Sequence, residues 1–478
     1  MRKLIKKVFV TVLAFVMVLT ALPLVGINML ALAAETSGTC GSNLTWNYDE
    51  ATATLKISGT GAMDNYKENQ TNYPWKDHKA VIKSVEISGG VTSIGAYAFK
   101  RCLRIQSIAI PDSVATIGEG AFESCEGLLS VVIPEGVTVI NNWLFRNCRS
   151  LVKVTIPNSV TAIGESAFFN CESLRDMTIP YGITNIKARV FVGCDSLESI
   201  TIPDSVTAIG EEAFYACNSL ADLVIPDSVT NIGKTAFGSC TSLTDITIPG
   251  SVAVIGEEAF KSCESLKTVT IQTGVTNIGK LAFLNCQKLT VVTIPDSVTT
   301  IGSRAFDSCV ALVSITIPKN VTTIEDSTFN YCKRLKSVVI SDSVTTIGSG
   351  AFKLCESLKD VYYTGTESEW NDVLIVKNND YLINAAKHYS YIVPAVNQNT
   401  HEGNESEGYD EHYNDVQNDS AESVDSENKS ENKSENKSEN ESKTNITLII
   451  IIVGVAIAVL AIVAVAIVLI LVSKKKRK

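Results

Sequence analysis

The sequence has few of the residue types that most catalytic and metal-binding sites require. Its four histidines are His78, His388, His401 and His412, and none of them lies between residues 87 and 360. No two cysteines form a C-x-x-C pair, and no G-x-S-x-G, H-E-x-x-H or phosphate-loop motif occurs. These absences argue against a zinc site, a hydrolase triad and a nucleotide site. We therefore expect no enzyme, no catalytic residue, no bound metal and no cofactor.

Positive charge is also scarce. The chain has 41 lysines and arginines against 51 aspartates and glutamates, a formal net charge of −10. An acidic surface repels phosphates, so nucleic acid is excluded as a main partner. Adjacent acids such as Glu211-Glu212 and Glu257-Glu258 resemble paired catalytic carboxylates, but they fall at turn positions with Lys234 and Arg304 nearby. A solvated, charged rim is the simpler interpretation.

Aromatic residues are rare between the two flanks of the chain, apart from one periodic phenylalanine. It recurs in twelve copies at the constant spacing that separates Phe99 from Phe122, with an isoleucine five places before it and a cysteine three places after it. A fixed period of about 20 to 50 residues is typical of a solenoid, whose units are each too small to bury their own apolar face. The periodic residues are Phe99, Phe122, Phe145, Phe168, Phe191, Phe214, Phe237, Phe260, Phe283, Phe306, Phe329 and Phe352.

The first half of one unit predicts a strand. Leu197, Ile200 and Ile202 form an L-x-x-I-x-I pattern whose end alternates apolar and polar residues, as in a strand with one buried face. Pro203 lacks a backbone N–H group and should end the strand. Because identical units stack side by side, equivalent strands become neighbours, and the sheet is predicted to be parallel.

The second half of the unit predicts a turn. Gly210 follows an apolar residue and favours a tight turn, although other residues replace this glycine in some copies. Ala213, Phe214 and Cys217 then follow at helical spacing, which predicts one short helical turn. Each unit should therefore carry a strand on the concave side and a helical turn on the convex side.

These residues resemble the BspA type of leucine-rich repeat. The resemblance covers roughly residues 87–360 as twelve 23-residue repeats, and it implies a leucine-rich-repeat solenoid of the α/β type. It also implies a cell-surface protein that binds other macromolecules, often in adhesion, without naming a ligand. The matching residues of one copy are Leu197, Ile200, Ile202, Pro203, Val206, Ile209, Gly210, Ala213, Phe214 and Cys217.

The cysteines have two possible roles. Twelve of the 13 follow the repeat, and Cys40 does not. In an extracellular chain, cysteines first indicate disulfides. Equivalent side chains of stacked units run parallel instead of pointing at each other, however, so a ladder of buried free thiols is favoured over disulfide bridges.

The ends of a solenoid expose apolar surface that must be covered. We expect an N-terminal cap at 35–86, in which Trp46, Tyr48, Leu55 and Ile57 belong to a hairpin that covers the first unit. A C-terminal cap is expected at 361–393, where Trp370 and several tyrosines follow the last repeat. The alternative interpretation of these aromatic residues is a binding module.

Both termini carry membrane-related signals. Residues 1–34 combine basic residues, an apolar run and Ala-Leu-Ala, as in a secretory signal peptide, although an uncleaved anchor helix is the alternative. A transmembrane helix is predicted at 446–472, followed by a basic cytoplasmic tail at 473–478. By the positive-inside rule, the repeats are then extracellular and the protein is a single-pass protein of the cell membrane.

Residues 394–445 form a predicted disordered linker. They carry 14 acidic residues against 4 lysines and almost no large apolar residue. Such a segment cannot bury enough surface to offset its ordering entropy. We expect a flexible acidic stalk with a mean reach of roughly 40 Å.

The candidate binding surface is the concave face. It offers small hydroxyl and acidic residues that suit an extracellular protein or a surface glycan, although the hydroxyl groups could instead bond to one another along the sheet. Two functions remain open: adhesion or ligand binding, and a passive surface coat or spacer. The candidate ligand-binding residues are Lys153, Thr155, Asp176, Thr178, Ser199, Thr201, Asp222, Asp245, Thr247, Thr270, Thr293 and Thr316.

Overall fold

The computed structural model describes residues 35–70 and 73–393, which form a succession of parallel coils behind an N-terminal hairpin. With one exception, each coil in this region contributes a strand, a second shorter strand and a segment of turns. Equivalent residues of successive coils lie side by side, as in the pairing of Asp245 with Thr268. The described repeats therefore form a parallel β-solenoid of the leucine-rich-repeat type.

The longer strands make the face that is predicted to be concave, called the strand face below. Their outward residues alternate with buried ones, as the L-x-x-I-x-I pattern predicts. These strands are β5 (Ser84–Ile87), β7 (Ser107–Ala109), β9 (Ser130–Val132), β11 (Lys153–Thr155), β13 (Asp176–Thr178), β15 (Ser199–Thr201), β18 (Asp245–Ile248), β20 (Thr268–Ile271), β22 (Val291–Thr293), β24 (Ser314–Thr316), β26 (Ser337–Ile340), β28 (Asp360–Tyr363) and β30 (Ala386–His388).

Shorter strands form a second parallel ladder in each coil. From β6 to β27, their last residue is the buried isoleucine that precedes each phenylalanine by five positions. All contain two residues except β6, which contains four. They are β4 (Gly61–Ala62), β6 (Val91–Ile94), β8 (Thr116–Ile117), β10 (Val139–Ile140), β12 (Ala162–Ile163), β14 (Asn185–Ile186), β16 (Ala208–Ile209), β17 (Asn231–Ile232), β19 (Val254–Ile255), β21 (Asn277–Ile278), β23 (Thr300–Ile301), β25 (Thr323–Ile324), β27 (Thr346–Ile347) and β29 (Leu374–Ile375).

The predicted helical turn is wrong. Around Phe214 the backbone alternates between right-handed and left-handed conformations, with φ of 53° at Glu212 and 58° at Ala216. The equivalent two positions have positive φ in every one of the twelve repeats. Within the described repeats, no helix accompanies the phenylalanines.

Hydrogen bonding between coils explains why turns replace the helix. The amide N–H groups of Glu212, Phe214 and Ala216 donate to carbonyls of the next coil at 2.8–2.9 Å. The intervening amides, such as that of Tyr215, close turns within the coil. A helix would direct its N–H groups along its own axis, and its ~10 Å width exceeds the ~4.8 Å strand separation that the stacked coils follow. The bonds to the next coil offset the cost of left-handed backbone at residues other than glycine, about 1–2 kcal/mol each.

The periodic phenylalanines form one continuous aromatic stack. All twelve side chains are fully buried, and neighbouring ring centroids lie 5.3–5.7 Å apart with interplanar angles of 3–20°. This geometry falls in the range where aromatic pairs contribute about 0.5–1.5 kcal/mol beyond the burial of their area. The stack therefore stabilises each coil only when its neighbours are in register.

The periodic cysteines are free buried thiols, as favoured from the sequence. The Sγ of Cys240 donates a hydrogen bond to the carbonyl oxygen of Phe214 in the preceding coil at 3.2 Å, and the same contact recurs along the ladder. Burial raises the pKa of the Cys240 thiol to about 12, despite the opposing effect of a backbone hydrogen bond. The thiols therefore act as small core residues that also connect coils.

Serine and threonine side chains make a second set of bonds between coils. The Oγ of Ser228 donates to the carbonyl of Val206 at 2.8 Å, and Thr230 Oγ1 donates to the carbonyl of Thr207 at 3.2 Å.

Gly210 does not have a positive φ, so its role is not to permit a left-handed turn. Instead, a Cβ atom there would lie 2.7 Å from the backbone nitrogen of Ala188, so the glycine permits close approach of the preceding coil.

An antiparallel hairpin covers the N-terminal coil. It consists of β2 (Leu44–Asp49) and β3 (Thr54–Gly59), with β1 (Ser37–Gly41) on the outer edge of β2. The four hairpin residues singled out in the sequence are all buried. Trp75, which the sequence did not single out, stacks on Phe99 with a centroid separation of 5.5 Å and so ends the aromatic stack.

Two short helices and one asparagine follow the last repeat. Helix α1 (Glu367–Asn371) starts with a capping box between Thr366 and Glu369, and α2 (Asp380–Asn384) follows β29. The fully buried Asn379 accepts a hydrogen bond from the amide of Phe352 at 3.0 Å and donates one to the carbonyl of Gly348 at 2.9 Å. Its amide group thus replaces the backbone that a further coil would supply.

The signal peptide, acidic linker, transmembrane helix and basic tail predicted from the sequence lie outside the described residues. Within residues 35–70 and 73–393, no helix combines the length and the hydrophobicity needed to cross a bilayer.

Truncating one ring should open the stack. We expect Phe214→Ala to lower the free energy of unfolding by about 3–5 kcal/mol, because a large buried side chain is lost from a core that cannot collapse around the gap. Tyr215→Ala, whose side chain is 38% exposed, serves as the neighbouring control and should have a small effect. Urea unfolding followed by circular dichroism measures both, and equal stabilities of the two variants would contradict the stack.

High pH should destabilise the solenoid. Unfolded thiols ionise near their ordinary pKa of 9.0, whereas the folded Cys240 thiol resists ionisation up to about 12. The free energy of unfolding should therefore fall as the pH rises from 9 to 12, by up to about 1.4 kcal/mol per pH unit for each such thiol. A Cys217→Ala/Cys240→Ala variant should show a shallower fall, and an unchanged slope would contradict the assignment.

Candidate functional site

The strand face carries all twelve candidate residues. They occupy two files that run along the solenoid, one from the first outward residue of each strand and one from the second. All are exposed except Thr270, which is half-buried. The first file includes Lys153, Asp176, Ser199, Asp222 and Asp245, and the second includes Thr155, Thr178, Thr201, Thr247, Thr270, Thr293 and Thr316.

The threonines of the second file do not bond to one another. In the part of the chain that the structure describes, no side-chain hydrogen bond joins two of these threonines in neighbouring coils. Among the described strands of this face, a hydroxyl pair between neighbours occurs only near the N-terminal hairpin, where Thr54 Oγ1 and Ser84 Oγ lie 2.8 Å apart. Most hydroxyl groups of the strand face are therefore available to a partner.

The strand face is interrupted in the coil that contains Asp222. Residues 221–225 form no strand, and this coil joins β15 only through an isolated bridge between Ser199 and Asp222. Asp222 and Asp245 occupy equivalent positions in adjacent coils, where most other coils place a neutral residue. Like charges at neighbouring strand positions are unfavourable for pairing, although the ladder is also absent between β11 and β13 and between β22 and β24.

A recess lies beside this interruption. It is a cavity of about 350 Å³ whose wall combines carboxylate, hydroxyl, amide and apolar side chains. The structure brings Asp245, Thr247 and Thr270 together here, and leaves the other nine candidates along the rest of the face. The recess is lined by Leu223, Val224, Ile225, Asp227, Asp245, Ile246, Thr247, Pro249, Thr268, Thr270 and Gln272.

An irregular turn closes one side of the recess. Gln272 replaces the usual proline, and its Oε1 accepts a hydrogen bond from the amide of Gly250 at 3.2 Å. Gly274 has φ of +122°, which L side chains rarely adopt, and a Cβ atom on Gly250 would overlap the carbonyl of Thr273. The replacement of proline by Gln272 is visible in the sequence, but the recess itself and the contribution of Asp227 were missed.

The paired glutamates form ion pairs, as the rim interpretation predicts. Glu212 lies 2.7 Å from Arg189, and Glu257 lies 3.3 Å from Lys234, each bond joining two coils. Their oxygens are therefore engaged in exposed contacts between coils, which do not assemble a pocket.

A second polar and aromatic group lies at the C-terminal end of the strand face. His388 stacks on Tyr362 with a centroid separation of 4.7 Å, and its Nε2 lies 2.9 Å from Asp360 Oδ1. Tyr391 packs against Tyr362 at 4.7 Å. These contacts join β28, β30 and the following chain, as a cap requires.

The described residues contain no group of three or more histidine, cysteine, aspartate or glutamate side chains arranged to hold a metal ion.

Comparison with known proteins places the repeats in a family. The model of the "BspA type Leucine rich repeat region (6 copies)" matches residues 77–195, 161–290 and 254–374. No curated protein gives a significant match.

Solved structures of bacterial leucine-rich-repeat proteins are similar to this chain. A leucine-rich repeat protein from Bacteroides ovatus has 26% identity and a TM-score of 0.47, with 73% of this chain and 98% of that chain covered. One from Eubacterium ventriosum has 27% identity and a TM-score of 0.46, covering 67% and 95%. A leucine rich cell surface protein from Faecalibacterium prausnitzii has 28% identity and a TM-score of 0.39, covering 72% and 99%.

Removing the like charge should stabilise the interrupted coil. We expect Asp222→Asn to raise the free energy of unfolding by up to about 1 kcal/mol, because the repulsion with Asp245 is lost. Asp176→Asn is the control, since Asp176 lies next to Lys153 in the same file and should not gain stability. Urea unfolding compares them, and a less stable Asp222→Asn variant would show that repulsion between Asp222 and Asp245 does not destabilise the fold.

Proposed function

We propose, from the premise that the chain belongs to the BspA-type leucine-rich-repeat family, that it binds an extracellular protein or surface glycan through the strand face. In this proposal the protein is displayed at the cell surface and contributes to adhesion to a host cell or another cell.

The proposal depends on one observation. Among the sides of each coil, the strand face is the one whose polar side chains contribute least to holding neighbouring coils together. On the turn side, charged residues such as Arg189 and Glu212 form ion pairs between coils. On the side of the short strands, Ser228 and Thr230 donate to backbone carbonyls of the preceding coil. The candidate hydroxyl and carboxylate groups of the strand face have no such role in holding the solenoid together.

The surface suits a long or repeating partner. Its residues are small, recur at each coil, and include few of the tryptophan, tyrosine and arginine anchors that dominate compact hot spots. Many equivalent weak contacts can add up to strong attachment when the partner presents them at matching intervals. Repeating glycans and extended proteins both have this property.

Display at the surface is the second part of the proposal, and it rests on the sequence alone. Residues 1–34 supply the export signal, and residues 446–472 supply the anchor, with the basic residues 473–478 in the cytoplasm. The acidic segment 394–445 then acts as a stalk that carries the repeats away from the membrane.

Binding assays on extracellular-matrix proteins and on cells test this function. We expect the protein to bind at least one of these surfaces, and a variant with Lys153, Asp222 and Asp245 replaced by alanine to bind more weakly without a lower melting temperature. A matched variant with Glu264, Lys280 and Glu325 replaced alters exposed charges away from the strand face and should bind normally. If the unmodified protein binds none of these surfaces, a passive coat or spacer is the better description.

A further inference from the structure

The recess contains two carboxylates without a cation. Asp227 and Asp245 both line it, both are exposed, and neither forms an ion pair with any described residue. No lysine, arginine or histidine is among its lining residues. The recess therefore presents net negative charge to a ligand.

In a later coil, the aspartate at the position equivalent to Asp227 has a lysine partner in the next coil. Asp296 occupies the place of Asp227 three repeats later, and Lys319 stands at the same position of the following coil. The two side chains form an ion pair at 2.9 Å. In the coil that follows Asp227, the equivalent residue is Gly250, which leaves the carboxylate without this partner.

At the strand position beside the recess, two adjacent coils both carry an aspartate, although a neutral residue in either coil would avoid the repulsion. Asp222 and Asp245 occupy equivalent positions of adjacent coils, and residues 221–225 form no strand. Proteins retain such locally unfavourable arrangements mainly at functional sites. A positive group placed here would neutralise charges that the fold leaves unpaired.

The recess also has an apolar wall. Leu223, Val224 and Ile246 line it, and the Val224 side chain is 78% exposed. An aliphatic stem that ends in a positive charge matches this combination, because lysine and arginine bury their methylene groups along apolar surface while the charged head remains solvated. The volume of about 350 Å³ is near the lower end for ligand pockets, which suits one long side chain.

A metal ion is a poorer match than an organic cation. Calcium takes six to eight oxygen ligands as a rule, and the described residues around the recess contain no group of three potential side-chain ligands.

We propose that the recess binds a lysine or arginine side chain from a basic segment of a protein partner. The inference rests on the proposed function and narrows it, because it assigns the partner's charge at one point of the strand face. Along the rest of that face, the hydroxyl groups contact the partner without selecting for charge.

A peptide titration of the full-length protein in detergent tests the recess. The probe is the acetylated and amidated peptide (Lys-Gly-Gly)4, and the reference peptide has norleucine at each lysine position, which keeps the aliphatic stem and removes the charge. Calorimetry at low and at physiological salt should show binding of the lysine peptide that weakens with salt, and at least tenfold weaker binding of the norleucine peptide.

A pair of variants locates the binding. Asp227→Asn/Asp245→Asn should weaken binding of the lysine peptide at least tenfold. Asp112→Asn/Glu135→Gln removes two exposed carboxylates at the turn position of Asp227 in earlier coils, leaves the candidate residues of the strand face intact, and should change the affinity less than twofold. Circular dichroism checks that both variants are folded.

Three results would overturn the proposal. If both double variants lose the same affinity for the lysine peptide, the attraction is a diffuse one to an acidic protein. If the norleucine peptide binds as tightly as the lysine peptide, the recess is an apolar groove. If the lysine peptide does not bind, the recess does not select a cation. The proposed function and the recess can fail separately. If Asp227→Asn/Asp245→Asn leaves attachment to extracellular surfaces intact while the Lys153/Asp222/Asp245 variant loses it, the proposed function holds and the recess has no part in it. If the protein binds the lysine peptide but no extracellular surface, the recess holds and the proposed function fails.

Discussion

In-register contact between neighbouring coils is the constraint on which the whole structure depends. The ring of Phe214 stacks on the rings before and after it, its amide donates to the next coil, and its carbonyl accepts from the thiol of Cys240. A shift of one residue would break all three contacts at once. The length of the repeat is therefore fixed by packing and hydrogen bonding together, and an insertion inside a coil would interrupt both.

Because neighbouring coils must be held together, the sides of each coil have different roles. Two sides of each coil use their polar residues to hold the stack, as Ser228 and Arg189 do through bonds to a neighbouring coil. The strand face is held by its backbone and its buried residues, so its outward side chains can vary without loss of the fold. Variation there includes the like charges of Asp222 and Asp245 in adjacent coils, which the solenoid tolerates although residues 221–225 form no strand.

The sequence predicted the features that repeat, because residues one repeat apart in sequence are neighbours in space. The parallel strands, buried phenylalanines and free thiols all follow from that spacing. The helical turn was wrong, since the left-handed backbone at Glu212 is imposed by bonds to the next coil and not by a preference of glutamate. The recess was missed because Asp227 and Gln272 are far apart in sequence and line the same cavity only when the coils are placed side by side.

Amide hydrogen exchange tests the central claim most directly, because it reports on the bonds between coils one residue at a time. The structure predicts protection that recurs once per repeat from the first coil to the last, with the amide of each periodic phenylalanine as strongly protected as those of the strands, and with weaker protection towards the two ends. Rapid exchange at the amides of Phe191, Phe214 and Phe237, together with slow exchange in the strands, would contradict it. The turn segments would then be loops that do not hold the coils in register.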